Sequence, residues 1–283
     1  MQVFKQILAL REQVNAWKKS GHSIGFVPTM GNLHHGHLSL VKLAQQKCDK
    51  VIVSVFVNPM QFGPNEDFDS YPRTFESDEK QLLALQTDAV FYPSVEAIYP
   101  NGIEQTKVVV PEKLTALLEG ENRPGHFDGV STVVTKLFNM VQPDVAVFGQ
   151  KDYQQLAVIK RMVVELAMPI DIIAAPIGRD ADGLALSSRN QYLSDSQRQI
   201  APKLNTVLHD IEVEIQSGNR NYRGLCLSAS EQLIALGFDK VDYISVCQAD
   251  TLQSANENDQ KLVILGVARL EKIRLLDNIL LKI

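Results

Sequence analysis

Short runs rich in Val, Ile and Phe return through the first two-thirds of the chain, separated by longer segments of mixed polarity. The pattern predicts strands at Ile24–Val27, Val51–Val57, Ala89–Tyr92, Val108–Val110, Val145–Phe148 and Ile170–Ala174. It predicts helices over Leu38–Lys47, Thr74–Gln86, Gly129–Val141 and Tyr153–Leu166. The strand runs show little alternation of polar and apolar residues, so both faces of their sheet must be covered. Strands joined by helices build right-handed crossovers, and the expected fold is α/β: a doubly wound, Rossmann-like parallel sheet. In such a sheet ligands bind outside the carboxyl ends of the strands.

The last third has a different rhythm. One long helix is expected from Asp195 to Ile215, capped by Ser194 or Asp195, and another over Tyr222–Leu236. Three strand candidates follow, at Val241–Val246, Lys261–Val267 and Ile273–Ile279. Two helices and a small antiparallel sheet suit a smaller C-terminal α+β domain. We expect a binding domain over residues 1–178 and a small domain over 179–283, which is ample chain for two cores. A net charge of −5 offers no basic footprint for nucleic acid. The apolar runs reach strand length only, so no membrane span is expected, and the first residues lack the pattern of a secretory signal. Cys48, Cys226 and Cys247 lie far apart and suit reduced thiols of a cytoplasmic protein.

Unusual residues gather after the predicted strands. Ile24–Val27 leads into Pro28-Thr29-Met30-Gly31-Asn32-Leu33-His34-His35-Gly36-His37, then a helix. A helix start offers free N–H groups and a positive dipole end, so this turn suits phosphates, with two imidazoles added. After Val51–Val57 comes Asn58-Pro59-Met60-Gln61-Phe62-Gly63, where Gln61 offers an uncharged donor and acceptor for a hydroxyl or carboxylate. After Val145–Phe148 comes Gly149-Gln150-Lys151-Asp152, with Gln155 one helical step beyond Asp152. After Ile170–Ala174 come Gly178-Arg179-Asp180 and Leu186-Ser187-Ser188-Arg189-Asn190, in which Arg189 is a bidentate phosphate ligand.

Each feature has a plainer reading. His34, His35 and His37 also fit metal ligands or a solvated loop, but no acidic or cysteine partner lies nearby, and no metal-ligating residue is expected. Asn58-Pro59 suits an ordinary turn. Lys151 and Asp152 suit a surface ion pair, and Ser187-Ser188-Arg189 alone says little. Gly120–Gly129 is a polar, glycine-dense loop in which Arg123 and His126 are candidate contacts. Asp67, Asp69 and Asp78 are expected to do no more than solvate the surface. No Gly-x-Ser-x-Gly elbow, G-x-G-x-x-G fingerprint or P-loop is present.

The ordered set is far more specific than any one motif. It comprises Pro28–Gly31 with His34-x-Gly36-His37, Phe56–Phe62, Tyr71-Pro72-Arg73-Thr74, Arg123–Val130, Phe148–Gln155 and Ser187–Asn190. Together these closely resemble the pantothenate synthetases, or pantoate–β-alanine ligases, a branch of the His-Ile-Gly-His nucleotidyltransferase superfamily. The resemblance implies ATP-dependent condensation of pantoate with β-alanine through a pantoyl adenylate, releasing AMP and pyrophosphate. It implies ATP with magnesium carried on its phosphates, pantoate and β-alanine as substrates, and a homodimer.

Residue by residue, the resemblance assigns ATP to Met30, Gly31, Asn32, Leu33, His34, His35, Gly36, His37, Gly149, Gln150, Lys151, Asp152, Gly178, Leu186, Ser187, Ser188 and Arg189. Substrate falls to Gln61 and Gln155, with Asn58 and Tyr71 shaping the pantoate end. His34, His37, Lys151 and Arg189 carry the catalytic charge stabilisation. The small domain is expected to act as a lid over the hydrolysis-prone adenylate. Asn32 departs from the Ala usual in the family. Two other readings compete: a nucleotidyltransferase of the same superfamily, and a nucleotide-binding protein without turnover.

Overall fold

A computed structural model describes residues 1–283 except Asn65 and Asp67. The chain divides into two compact units, one of residues Met1–Gln150 with Gln155–Pro176 and one of Lys151–Gln154 with Ile177–Ile283.

The first unit is a six-stranded sheet. Its strands are β1 (Gln2–Phe4), β2 (Ile24–Thr29), β3 (Lys50–Val55), β4 (Ala89–Phe91), β5 (Val145–Gly149) and β6 (Asp171–Ala175). They stand in the order β1-β4-β3-β2-β5-β6, and every pairing is parallel. The doubly wound fold is therefore as the periodicity predicts. Helices α1 (Ile7–Lys19), α2 (His35–Lys47), α3 (Phe75–Ala84), α4 (Val95–Ile98), α5 (Glu112–Thr115), α6 (Glu119–Asn122), α7 (His126–Val141) and α8 (Tyr153–Glu165) connect them, α8 beginning in the second unit's short segment.

Neighbouring residues of β2 show why the strands lack alternation. Val27 enters a cluster with Leu40, Val41 and Ala44 of α2. Phe26 meets Phe138 of α7 edge to face, centroids 6.3 Å apart. Both sheet faces are thus sealed by apolar packing. The chain order reverses between β2 and β5, paired at Gly25–Val145 and Phe26–Ala146, and the crevice beyond their carboxyl ends is the switch point of the sheet.

One expected strand is absent. Val108–Val110 forms no strand: the Val108 N–H donates to Thr132 Oγ1 at 2.9 Å and its carbonyl accepts from the Ser131 hydroxyl. Side chains of α7 thus take up the polar groups that a ladder would have used. The N-terminal β1 and α1 are elements that the sequence pattern did not bring out.

The second unit contains α9 (Asp195–Ile200), α10 (Lys203–Gln216), α11 (Tyr222–Ala235) and an antiparallel meander β7 (Lys240–Gln248), β8 (Lys261–Leu270) and β9 (Ile273–Lys282). The single helix expected from Asp195 to Ile215 is two helices. Pro202 has no N–H to donate and its ring clashes with the preceding turn, so α9 stops and α10 restarts beyond it. Ser194 and Gln197 form a capping box at the start of α9. Leu204, Val207, Leu208 and Ile211 of α10 pack with Leu233 of α11 on Leu262, Ile264 and Ile279 of the sheet.

Candidate active site

The turn after β2 is held from behind by a carboxylate. Gly31 (φ 85°) and Asn32 (φ 50°) both lie in the left-handed region. A Cβ on Gly31 would come within 3.0 Å of Asp78 Oδ2 and of Val55, so glycine is needed there. Asp78, on α3, is 1% exposed and accepts the N–H groups of Asn32 (2.9 Å) and Leu33 (2.8 Å). Gln81, one turn further, donates to the Leu33 carbonyl at 3.3 Å. Burial pushes the Asp78 carboxyl above its ordinary value, while the Leu33 and Asn32 N–H groups pull it down. The surface role expected for Asp78 is thus wrong, because the turn folds over it and removes it from water. Asp69 is exposed, and Asp67 lies outside the described residues. The N–H groups of Asn32 and Leu33 point to Asp78, so these two residues build the turn from within.

Helix α2 begins at His35 rather than near Leu38, which puts His34 at the N-cap. His34 Nδ1 accepts the Gly36 N–H at 3.1 Å. In the neutral ring the proton therefore sits on Nε2, a donor suited to an anion. The His34 and His37 rings lie 4.1 Å apart, tilted by 34°, and His35 is exposed.

Gln61 closes a one-turn 3-10 helix after β3, Pro59–Gln61. Asn58 orients it. Asn58, 1% exposed, donates to Gln61 Oε1 (3.1 Å) and the Gly129 carbonyl (3.1 Å). Its own oxygen accepts from the Tyr99 hydroxyl (2.6 Å) and the Met60 N–H (3.3 Å). With all four of its hydrogen bonds made, Asn58 is a positioning group. The Gln61 carbonyl oxygen is thereby taken, and its NH2 faces Met30 Sδ at 3.0 Å. Gln61 therefore presents a neutral donor.

The backbone of Gln61 is fixed as well. His126 Nδ1 donates to its carbonyl at 2.8 Å and His126 Nε2 accepts from Arg123 at 3.1 Å, which defines the tautomer. Burial, with the Arg123 charge adding to it, lowers the His126 pKa to about 4, so the ring is neutral near pH 7. Arg123 is itself paired to both oxygens of Glu66, at 2.7 and 2.6 Å. Arg123 and His126, candidate contacts in the sequence, therefore brace Gln61. Tyr71 is buried, edge to face with Phe62 at 5.8 Å. Gln155 is half-buried on α8, Gly149 ends β5, and Gln150 follows it beside the switch point. A separate cavity of about 390 Å³ lies behind the turn, lined by Met30, Gly31, Phe56, Phe75, Asp78 and Tyr92, and the histidines and Gln61 are outside its lining.

The second unit carries the other expected nucleotide residues. Lys151, Asp152, Ser187, Arg189, Asn190 and Asp277 line one small cavity of about 40 Å³. Lys151 and Asp152 lie 3.6 Å apart, and Ser187 caps the turn Ser188–Tyr192 by accepting the Arg189 N–H. Gly178 and Leu186 are tied by a backbone bond of 2.9 Å that closes the hairpin before this loop. Asn205, Asp277 and Asn278 also belong to this region, and sequence reasoning missed them. Their only trace is a polar pair, Asp277-Asn278, inside an apolar strand.

The family model described as pantoate–β-alanine ligase matches residues 2–280. The chain belongs to the pantoate–β-alanine ligase family. A pantothenate synthetase of Hydrogenovibrio crunogenus is 59% identical over 283 residues, covering 100% of both chains. The pantothenate synthetase structure from Thermus thermophilus superposes with a TM-score of 0.92 at 42% identity, over 99% of each chain. A pantoate–β-alanine ligase from Francisella tularensis, solved with β-γ ATP and β-alanine, gives 0.82 at 35% identity over 99% of this chain and 97% of that one. The fold of these ligases is thus the fold derived above.

Proposed function

We propose that the protein joins pantoate to β-alanine, using ATP as the activating agent. The observation that carries this reading is the state of Gln61. Asn58 engages its oxygen and leaves a neutral NH2 beside Met30, while the nearby Arg123 charge is matched by Glu66. Such a pocket suits a small hydroxy acid. A nucleotidyltransferase acting on a phosphorylated substrate would need an uncompensated cation there, and a nucleotide binder without turnover would have no use for a braced amide.

In this mechanism the pantoate carboxylate attacks the α-phosphorus of ATP, and the bond to pyrophosphate breaks. The β-alanine amine then attacks the acyl carbon, AMP leaves, and the amine gives up its proton. No protein nucleophile is required, because the attacking oxygen is already anionic. Charge gathered on the phosphates is the barrier, and His34, His37, Lys151 and Arg189 supply donors against it. Each such donor is worth about 10²–10³ in rate. Gln61 and Gln155 hold pantoate, with Asn58 and Tyr71 shaping that end.

Among the described residues no three His, Cys, Asp or Glu side chains gather as a metal cluster. In this proposal magnesium comes with the ATP, carried on its phosphates as part of the substrate. The cytoplasmic location, supported by three free cysteines, and the homodimer belong to the same proposal. So does the lid role of residues 179–283, supported by the hydrolytic lability of an acyl adenylate.

Pyrophosphate release tests the reading. Release should require pantoate with MgATP and become sustained, with AMP formed, once β-alanine is added. His37→Ala should fold and lose at least tenfold in turnover, about the lower bound for a phosphate donor. Release independent of pantoate would discard the ligase reading.

A further inference from the structure

Strand β9 lies at the edge of the second unit's sheet and bears two adjacent buried polar residues, Asp277 (4% exposed) and Asn278 (1%). Successive residues of a strand point to opposite faces, so this pair reaches in two directions at once. On one face, with Leu275 and Ile279 of the core, the Asp277 carboxylate receives both Arg179 NH groups, at 2.6 and 2.8 Å, and Asn205 Nδ2 at 3.0 Å. Arg179 also donates to the Gly183 carbonyl at 3.0 Å and bridges to Ala185. It thereby closes the hairpin that delivers Ser187 and Arg189, and Asn190 returns a bond to the Ala185 carbonyl at 3.0 Å. On the other face, Asn278 Nδ2 donates to the Lys151 carbonyl at 2.8 Å. The N–H of Asn278 meets Asp277 Oδ1 at 2.7 Å, which links the two arms.

We propose that Asp277 and Asn278 are positioning residues of the phosphate site, setting the spacing between Lys151 and the Ser187–Arg189 loop. Both groups line the cavity to which Asp277 itself contributes. This rests on the reading above, in which Lys151 and Arg189 face the ATP phosphates. Neither Asp277 nor Asn278 touches substrate in this scheme. Their effect is transmitted through where the two cations stand, and a displacement of about 1 Å in a reacting array costs up to about 10²-fold in rate.

The test is a double-mutant cycle on pantoate-dependent pyrophosphate release. Asn278→Asp keeps the size of the side chain but sets an oxygen against the Lys151 carbonyl. It should lower kcat by about 10- to 100-fold, with the KM for β-alanine unchanged. In a Lys151→Ala background the same change should cost almost nothing further, because its effect runs through Lys151. An equal loss in both backgrounds would show a general structural role and overturn the proposal. If Asn278→Asp does not purify folded, Arg179→Lys decides in a cycle with Arg189→Ala. That variant keeps the charge opposite Asp277 but loses the bidentate fork. Non-additive losses support the proposal, and additive losses overturn it. A wild-type protein without pantoate-dependent release would instead refute the assigned reaction, which separates the two failures.

Discussion

Gly129→Ala sets two well-measured effects against each other. Gly129 lies in the first turns of α7, where alanine normally stabilises a helix by about 1 kcal/mol over glycine. Here a Cβ would stand 2.2 Å from the Met60 carbonyl oxygen, 2.5 Å from its carbon and 2.7 Å from the Gln61 nitrogen. Ordinary contact begins near 3.4 Å, so helix and turn must part by about 1.2 Å, the difference between 3.4 and 2.2 Å. The obstacle is backbone and cannot rotate away. Overpacking of this kind costs about 1–3 kcal/mol, and the Asn58 bond to the Gly129 carbonyl, worth about 1 kcal/mol, is stretched as well. The clash wins, and the variant should be less stable by about 1–3 kcal/mol in urea titrations, the overpacking and lost-bond costs less the helix gain. Because the displaced turn carries Gln61, kcat/KM for pantoate should fall by about 10- to 100-fold in the pyrophosphate assay, with the KM for ATP near its wild-type value. A variant at least as stable as wild type, with unaltered pantoate kinetics, would refute the close approach of α7 to Gln61.

Two further outcomes follow from buried groups. Asp78→Asn keeps one acceptor where the carboxylate met two N–H groups, so one donor of the turn loses its partner at a cost of about 1–3 kcal/mol; the KM for ATP should rise while that for pantoate holds. His126 has its pKa lowered to about 4 against an ordinary 6.5, so the unfolded chain binds the extra proton between those values and stability falls as pH drops through that window. The contribution is at most about 3 kcal/mol. Comparing unfolding at pH 7 and 4.5 should show most of it in the wild type and none in His126→Gln, and equal slopes would refute the buried neutral ring.

The parallel sheet was legible because Val- and Ile-rich runs without alternation have few other ways to bury both faces. The strand ends were legible because Gly31, His34, His37, Gln61 and Lys151 are costly choices for plain turns. Where local pattern failed, longer-range contacts were responsible. Val108 has the composition of a strand, yet Thr132 and Ser131 take its polar groups. Asp78 sits in the first turn of a helix, where an acid is ordinary on the surface, and only the turn 45 residues earlier buries it. Pro202 was the exception, a break written in the sequence that the long apolar period concealed.

By itself, then, the sequence determined the class of sheet, the unusual polar residues gathered after its strands, and the family. Periodicity and turn residues act between near neighbours, so they survive in a one-dimensional reading. Tertiary structure alone decided which polar groups hold others in place. Asn58 reaches Gly129, Asp277 reaches Arg179 across 98 residues, and Asn278 reaches Lys151 across 127. A buried polar residue is tolerated only when its hydrogen bonds are met, and the partner that meets them is chosen by the folded chain rather than by position along it.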